Sequence, residues 1–195
     1  MQSMVRTTRE QILSAAENCF LQFGPRKTSM EEIAHHAGLA RATVYLHFAN
    51  KQSLYRELLL DTRSKLMDEM QQLLTGEQKA TWKLQRFVEL TISTYSSNTL
   101  LFGALNNDPV MAIEKIAEEV MEDQDKAMIN IIRTILLQGV DTGEMRDLDP
   151  DRTAYLMHQL GKRLVIEELG GNPKYKLKDI LPVMNNLLAL GLIRR

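Results

Sequence analysis

Between Arg41 and Lys51 the chain sets Arg41, Thr43, Tyr45, His47 and Lys51 at short intervals. Each of these side chains can donate a hydrogen bond, and two are permanently cationic. No nucleophile with an evident base stands among them. The chemistry they offer is the grip of an anion by several donors at once. Ala40 and Ala42 keep the surface between them low, so a grooved partner can come close.

The flanking residues say how such a set would be held. Ser29-Met30-Glu31-Glu32 is a capping box, in which the Ser hydroxyl and the Glu32 carboxylate satisfy each other's backbone amides. It starts a helix that stops near Gly38, a residue free to take the left-handed conformation of a tight turn. A short helix then covers Arg41 to His47. Ala34 is small where two helix backbones approach, and Ile33, Leu39, Val44 and Phe48 supply an apolar wedge. This spacing predicts a helix-turn-helix. Its second helix fits the major groove, with Arg41 reaching guanine or phosphate and Thr43 and Tyr45 donating to phosphate oxygens. Asn50 caps the next helix, and Lys51 sits on its first turn, where the helix dipole favours an anion.

The rest of the chain must position this unit. Thr8–Phe23 carries Ile12, Ala16, Cys19, Phe20 and Phe23 at helical spacing and ends at Gly24-Pro25. A long helix follows Asn50 and ends before Thr75-Gly76. Further helices are expected near Gln78–Ser97, Pro109–Met121, Gln124–Val140, Asp151–Leu169 and Leu177–Leu192, with a short turn near Leu100–Leu105. No strand pattern and no repeat stands out. The prediction is an all-α chain with a helix-turn-helix DNA-binding domain over residues 1–55 and a helical domain over 56–195, joined by the long helix.

Composition limits the alternatives. The chain has 195 residues, 44% of them hydrophobic and 25% charged, with a net charge of −1, ordinary values for a globular protein. The head holds six basic residues (Arg6, Arg9, Arg26, Lys27, Arg41, Lys51) against four acidic ones (Glu10, Glu17, Glu31, Glu32), so the excess of acid lies in the body. That asymmetry suits a chain touching a polyanion with one end. The one cysteine, Cys19, rules out an internal disulfide. With no signal-like leader and no apolar run of membrane-spanning length, a cytoplasmic protein is expected.

The stretch from Phe20 and Gly24 through "TSMEEIAHHAGLARATVYLHFANKQSLYREL" resembles the tetracycline-repressor (TetR) family of bacterial transcriptional regulators. The likeness runs from Ile12 to about Leu58, and Tyr45-Leu46-His47-Phe48 with Lys51 and Leu54 is its most specific part. It implies a homodimer that binds a pseudopalindromic operator as a repressor and is released by a small ligand in the C-terminal domain. The likeness thereby makes residues 56–195 a ligand-binding and dimerisation domain. By position it places Thr43, Tyr45, His47 and Lys51 on the DNA backbone and Arg41 at a base-reading position. Many members have Ser or Thr where this chain has Ala40, so that cap and phosphate contact are missing here.

The body offers less. Eleven methionines fill an ordinary core or line a pliable apolar pocket. Tyr95, Phe102, Met128, Tyr155 and His158 are the candidate lining. The run Glu118-Glu119, Glu122-Asp123, Asp125 reads as a solvated acidic face. His35, His36, His47 and His158 have no metal-like spacing, so no metal or cofactor is expected. An enzyme is not expected either, there being no Gly-x-Ser-x-Gly and no phosphate loop. Apolar stripes on the last two helices suit a two-fold four-helix bundle, with Met157, Gly161, Leu164, Val183, Met184 and Leu187 as its interface. Two other readings stay open: a helical small-molecule-binding protein without a DNA role, and an α-helical enzyme using the body cavity.

Overall fold

The structure, a computed structural model, describes residues 7–171, 173–176, 178–180, 182–183 and 186. The described residues include, in order, α1 (Thr8–Phe23), α2 (Met30–Ala37), α3 (Arg41–His47), α4 (Lys51–Thr75), α5 (Ala80–Ser97), α6 (Thr99–Leu105), α7 (Glu114–Asp141) and α8 (Pro150–Leu169). Among the described residues there is no strand, and no helix is long and apolar enough to cross a membrane.

The chain divides into two compact units: the segment ending at Arg63 with Asn98–Met121, and Ser64–Ser97 with the segment from Glu122 onward. The expected boundary after residue 55 falls inside α4, and the first unit also takes in α6 and the start of α7. The reason is apolar packing. Leu100, Leu101, Ala104, Ala112, Ala117 and Val120 are all buried, and a segment with that face cannot stand in water.

In the first unit, α1 starts at a Thr7–Glu10 capping box and buries Ile12, Ala15, Ala16, Cys19 and Phe20. Phe20 meets the ring of Tyr55 edge-on at 6.1 Å. Gly24 closes α1 at φ 81°. A Cβ there would lie 2.7 Å from the Val110 carbonyl oxygen, so both the turn and the neighbouring backbone demand glycine. Arg26 Nε donates to the Ala112 carbonyl at 3.3 Å, and Arg56 pairs with Glu119. The Asn98 side chain accepts from the Leu101 amide at 2.7 Å and donates to the Thr62 hydroxyl at 3.1 Å.

The second unit has its own core, including Leu66, Met70, Phe87, Met128, Ile132 and Ile135. Glu144 caps α5 from far along the chain, accepting from the Ala80 and Thr81 amides at 2.7 and 3.0 Å. Burial alone would raise its pKa, but the Thr81 hydroxyl and these amides outweigh it and hold the carboxyl below its ordinary value. Lys83 is buried; its ammonium donates to Gln138 Oε1 at 2.8 Å and to the Leu74 carbonyl at the end of α4.

Several expectations change. The separate helices 109–121 and 124–140 are one, α7. No Gly or Pro lies within residues 114–138 to stop the helix after Met121, and Pro109 lies in the loop before it, where Asp108 accepts from the Val110 and Met111 amides. Residues 99–105 form a helix, α6, rather than a turn, because Asn98 caps them. The expected helix 177–192 lies mostly outside the described residues, which there include helical positions 178–180, 182–183 and 186.

Candidate nucleic-acid interface

The helix-turn-helix is built as its residues require. Ser29 and Glu32 form both halves of the capping box. The backbone at Ser29 and the hydroxyl there hold the Glu32 carboxyl below its ordinary value. Gly38 turns at φ 66°, and its amide caps α2 on the Ala34 and His35 carbonyls. Ile33, Val44 and Phe48 are buried. One buried residue, Val44, anchors α3 and turns Arg41, Ala42, Tyr45, Leu46 and His47 outward, with Thr43 half-buried. Tyr45 is 42% and Leu46 85% exposed, a large apolar exposure that suits contact with thymine methyl groups. Ala40, the residue before α3, makes no side-chain cap.

The cations are already engaged. Arg41 pairs with Glu31 and lies 5.4 Å above the Tyr45 ring. The hydrogen bond with Tyr45 and then the charge of Glu31 raise its pKa further. Lys51 donates to the Arg26 and Thr28 carbonyls at 2.6 and 2.8 Å, and burial lowers its pKa. Two of its three protons thus hold the α1–α2 connection, leaving one for an outside anion. The Asn50 side chain caps α4 by accepting from the Ser53 amide at 2.8 Å. Glu31 was not singled out from sequence; its place on the first turn of α2, ahead of a helix bearing Arg41, was the available signal. Arg9, 5.1 Å over the Phe48 ring and paired with Glu57, braces the unit from α1.

The body candidates separate. Tyr95, Met128 and His158 are buried in the second unit, whereas Phe102 belongs to the first. Tyr155 is 53% exposed and borders a surface groove with Asp151, Arg152 and Leu156, so it lines no interior. Asp125 is not part of a solvated face. Its carboxylate accepts from His158 Nε2 at 2.9 Å and Lys162 Nζ at 2.5 Å. Burial would raise its pKa, but these two partners win and lower it. Among the described residues no cluster of His, Cys, Asp or Glu could hold a metal ion.

Part of the stripe expected to form a dimer on α8 packs within its own unit. Ala154 and Val165 are buried, and Met157 packs against the core of its own unit. Leu164 is half-buried, and a Cβ on Gly161 would meet nothing within 4 Å. The apolar residues facing outward are Tyr155, Leu156 and Leu160, the last two 59% and 61% exposed. Val183 is exposed; Met184 and Leu187 lie outside the described residues.

Comparison with known proteins agrees with the geometry of the head. Residues 12–58 match the signature of bacterial regulatory proteins of the tetR family. An uncharacterised HTH-type transcriptional regulator, YhgD of Bacillus subtilis (strain 168), is 25% identical over 93% of this chain and 94% of its own. The fatty acid metabolism regulator protein of the same organism is 27% identical over 92% and 91%. Among solved structures, the regulator FadR from Bacillus subtilis in complex with stearoyl-CoA superposes with a TM-score of 0.70 at 22% identity, over 91% of this chain and 96% of that one. The head thus carries the signature of the tetR family of bacterial regulatory proteins, and the chain is similar over nearly its whole length to HTH-type regulators and shares the helical fold of the solved neighbour.

Proposed function

We propose that this chain is a transcriptional regulator, acting as a repressor that covers a promoter and leaves it when a small molecule occupies the body. The observation that carries the reading is α3. A single buried valine holds it down, and its outward face offers a cation, a phenol, an imidazole and an exposed leucine without protein partners deep enough to explain them. Arg41 reads bases, and Thr43, Tyr45, His47 and the remaining proton of Lys51 position the backbone. The role needs no catalysis, and it is exercised in the cytoplasm, where the DNA is.

One such helix reads too few base pairs to be selective, so two copies related by a two-fold axis address a palindrome. The exposed Tyr155, Leu156 and Leu160 on α8 are the face a second copy would cover. The effector is mainly apolar, in keeping with the methionine-bearing core of the second unit. The relative named for fatty acid metabolism and the neighbour holding stearoyl-CoA support that chemistry.

The test is a salt titration on DNA selected by the protein from a random pool. Affinity should fall with a log–log slope of about −0.9 for each phosphate neutralised. A flat titration, or no enrichment of a palindrome, would sink the reading.

A further inference from the structure

On α7, Gln124, Met128, Ile131 and Ile135 follow one another along the buried side. Gln124 is the odd member of that stripe: an amide, 1% exposed, where the period asks for an apolar residue. Its Nε2 donates to the Tyr95 hydroxyl at 2.7 Å. Its Oε1 meets no protein donor. Turning the amide over changes nothing essential. Tyr95 would then donate to Oε1, and Nε2 would be left alone. In either setting the Tyr95–Gln124 pair keeps at least one unused donor beside at least one unused acceptor.

The surroundings limit what can use them. Asp125 next in the chain is already committed to His158 and Lys162. Its negative charge adds to burial in pushing the Tyr95 phenol above its ordinary range. A ligand carboxylate would face that charge in a poorly solvated place, and a ligand ammonium would find no free carboxylate. The complement is a neutral group with a donor and an acceptor on neighbouring atoms. Met128, one turn along α7, belongs to the apolar core with Met70 and Phe87, and methionines repack around an inserted chain.

We infer that the Tyr95–Gln124 pair is the anchor for the polar end of a mainly apolar small molecule, an end of carboxamide type that offers a donor and an acceptor together. The inference rests on the reading that the body takes an effector, and it names that effector's chemistry. An unsatisfied amide weakens the fold while it waits; binding relieves it.

The experiment is thermal unfolding of the full chain, of Gln124→Met, of Tyr95→Phe and of the two combined, each with octanamide, and with methyl octanoate, which can only accept. Gln124→Met combined with Tyr95→Phe keeps both side-chain shapes and removes the orphaned atom together with the hydroxyl it would leave alone. It should melt above the parent by about 2–4 °C. Octanamide should raise the parent's melting temperature more than methyl octanoate does, and both single variants should lose most of that difference. A double variant that melts lower, or fails to fold, would show the amide satisfied by enclosed water and overturn the inference. So would equal shifts from the two probes, no shift from octanamide, or an octanamide shift that survives both single variants. Binding to the selected DNA separates this from the wider reading. If the parent binds DNA and the melting arms fail, only the anchor falls. If the melting arms succeed and the parent does not bind DNA, only the regulator falls.

Discussion

Arg41 and Lys51 look alike in the sequence and are held differently. Arg41 is exposed, pinned by Glu31 and stacked on Tyr45. Surface pairs of this kind are weak and screened by salt, so DNA can replace Glu31 at little cost. Glu31→Gln should therefore tighten binding to random duplex DNA several-fold and narrow the gap to the selected operator, measured by fluorescence anisotropy. Arg41→Ala should cut discrimination at one base position by roughly an order of magnitude. Lys51 instead spends two protons on the Arg26 and Thr28 carbonyls. Lys51→Met should then lower the melting temperature and DNA affinity together. Loss of affinity with unchanged melting would return Lys51 to a pure phosphate contact.

At the scale of elements, Asp125 ties α7 to α8. Its carboxyl is held below its ordinary value of 3.8 by His158 and Lys162 acting against burial. A depressed carboxyl stabilises the fold above its unfolded pKa, and that contribution disappears as pH falls through the folded one. Below about pH 4 the parent should lose melting temperature faster than Asp125→Asn, which is less stable at neutral pH but flatter in acid. Glu144 is a cap supplied across the fold, and Glu144→Ala should cost about 0.5–2 kcal/mol by denaturant titration. These two carboxylates also mark where sequence reading stopped. The capping box at Ser29, the turn at Gly38 and the span of α3 were legible because their causes lie within a few residues. Asp125 read as solvated because its neighbours are acidic, while its partners sit on α8. The apolar face of α8 was placed on the Met157 side because both sides of that helix are apolar. Spacing alone cannot say which side finds the core of its own chain. The break expected after Met121 had no glycine or proline behind it, and none exists.

For the molecule as a whole, the question is what covers Tyr155, Leu156 and Leu160. A stripe of large apolar side chains left in water is a feature of association surfaces. Leu156→Glu should yield monomers by light scattering and abolish operator binding, although the change lies on α8 and no residue of the head is touched. A dimer that persists would move the interface elsewhere. A monomer with full operator affinity would remove two-fold reading from the mechanism.

Cys19 gives the head a built-in clock. It is the chain's one cysteine, fully enclosed on α1. Burial first, and then the charge of Glu32, push its thiol above the ordinary range. A thiol reagent can reach it only when the packing around α1 opens, so the labelling rate reports the population of that opened form. No other thiol contributes to the signal. Occupancy by DNA, which binds the closed helix-turn-helix, should slow labelling in proportion to saturation, and the same trace would show whether an effector loosens the head or leaves it sealed.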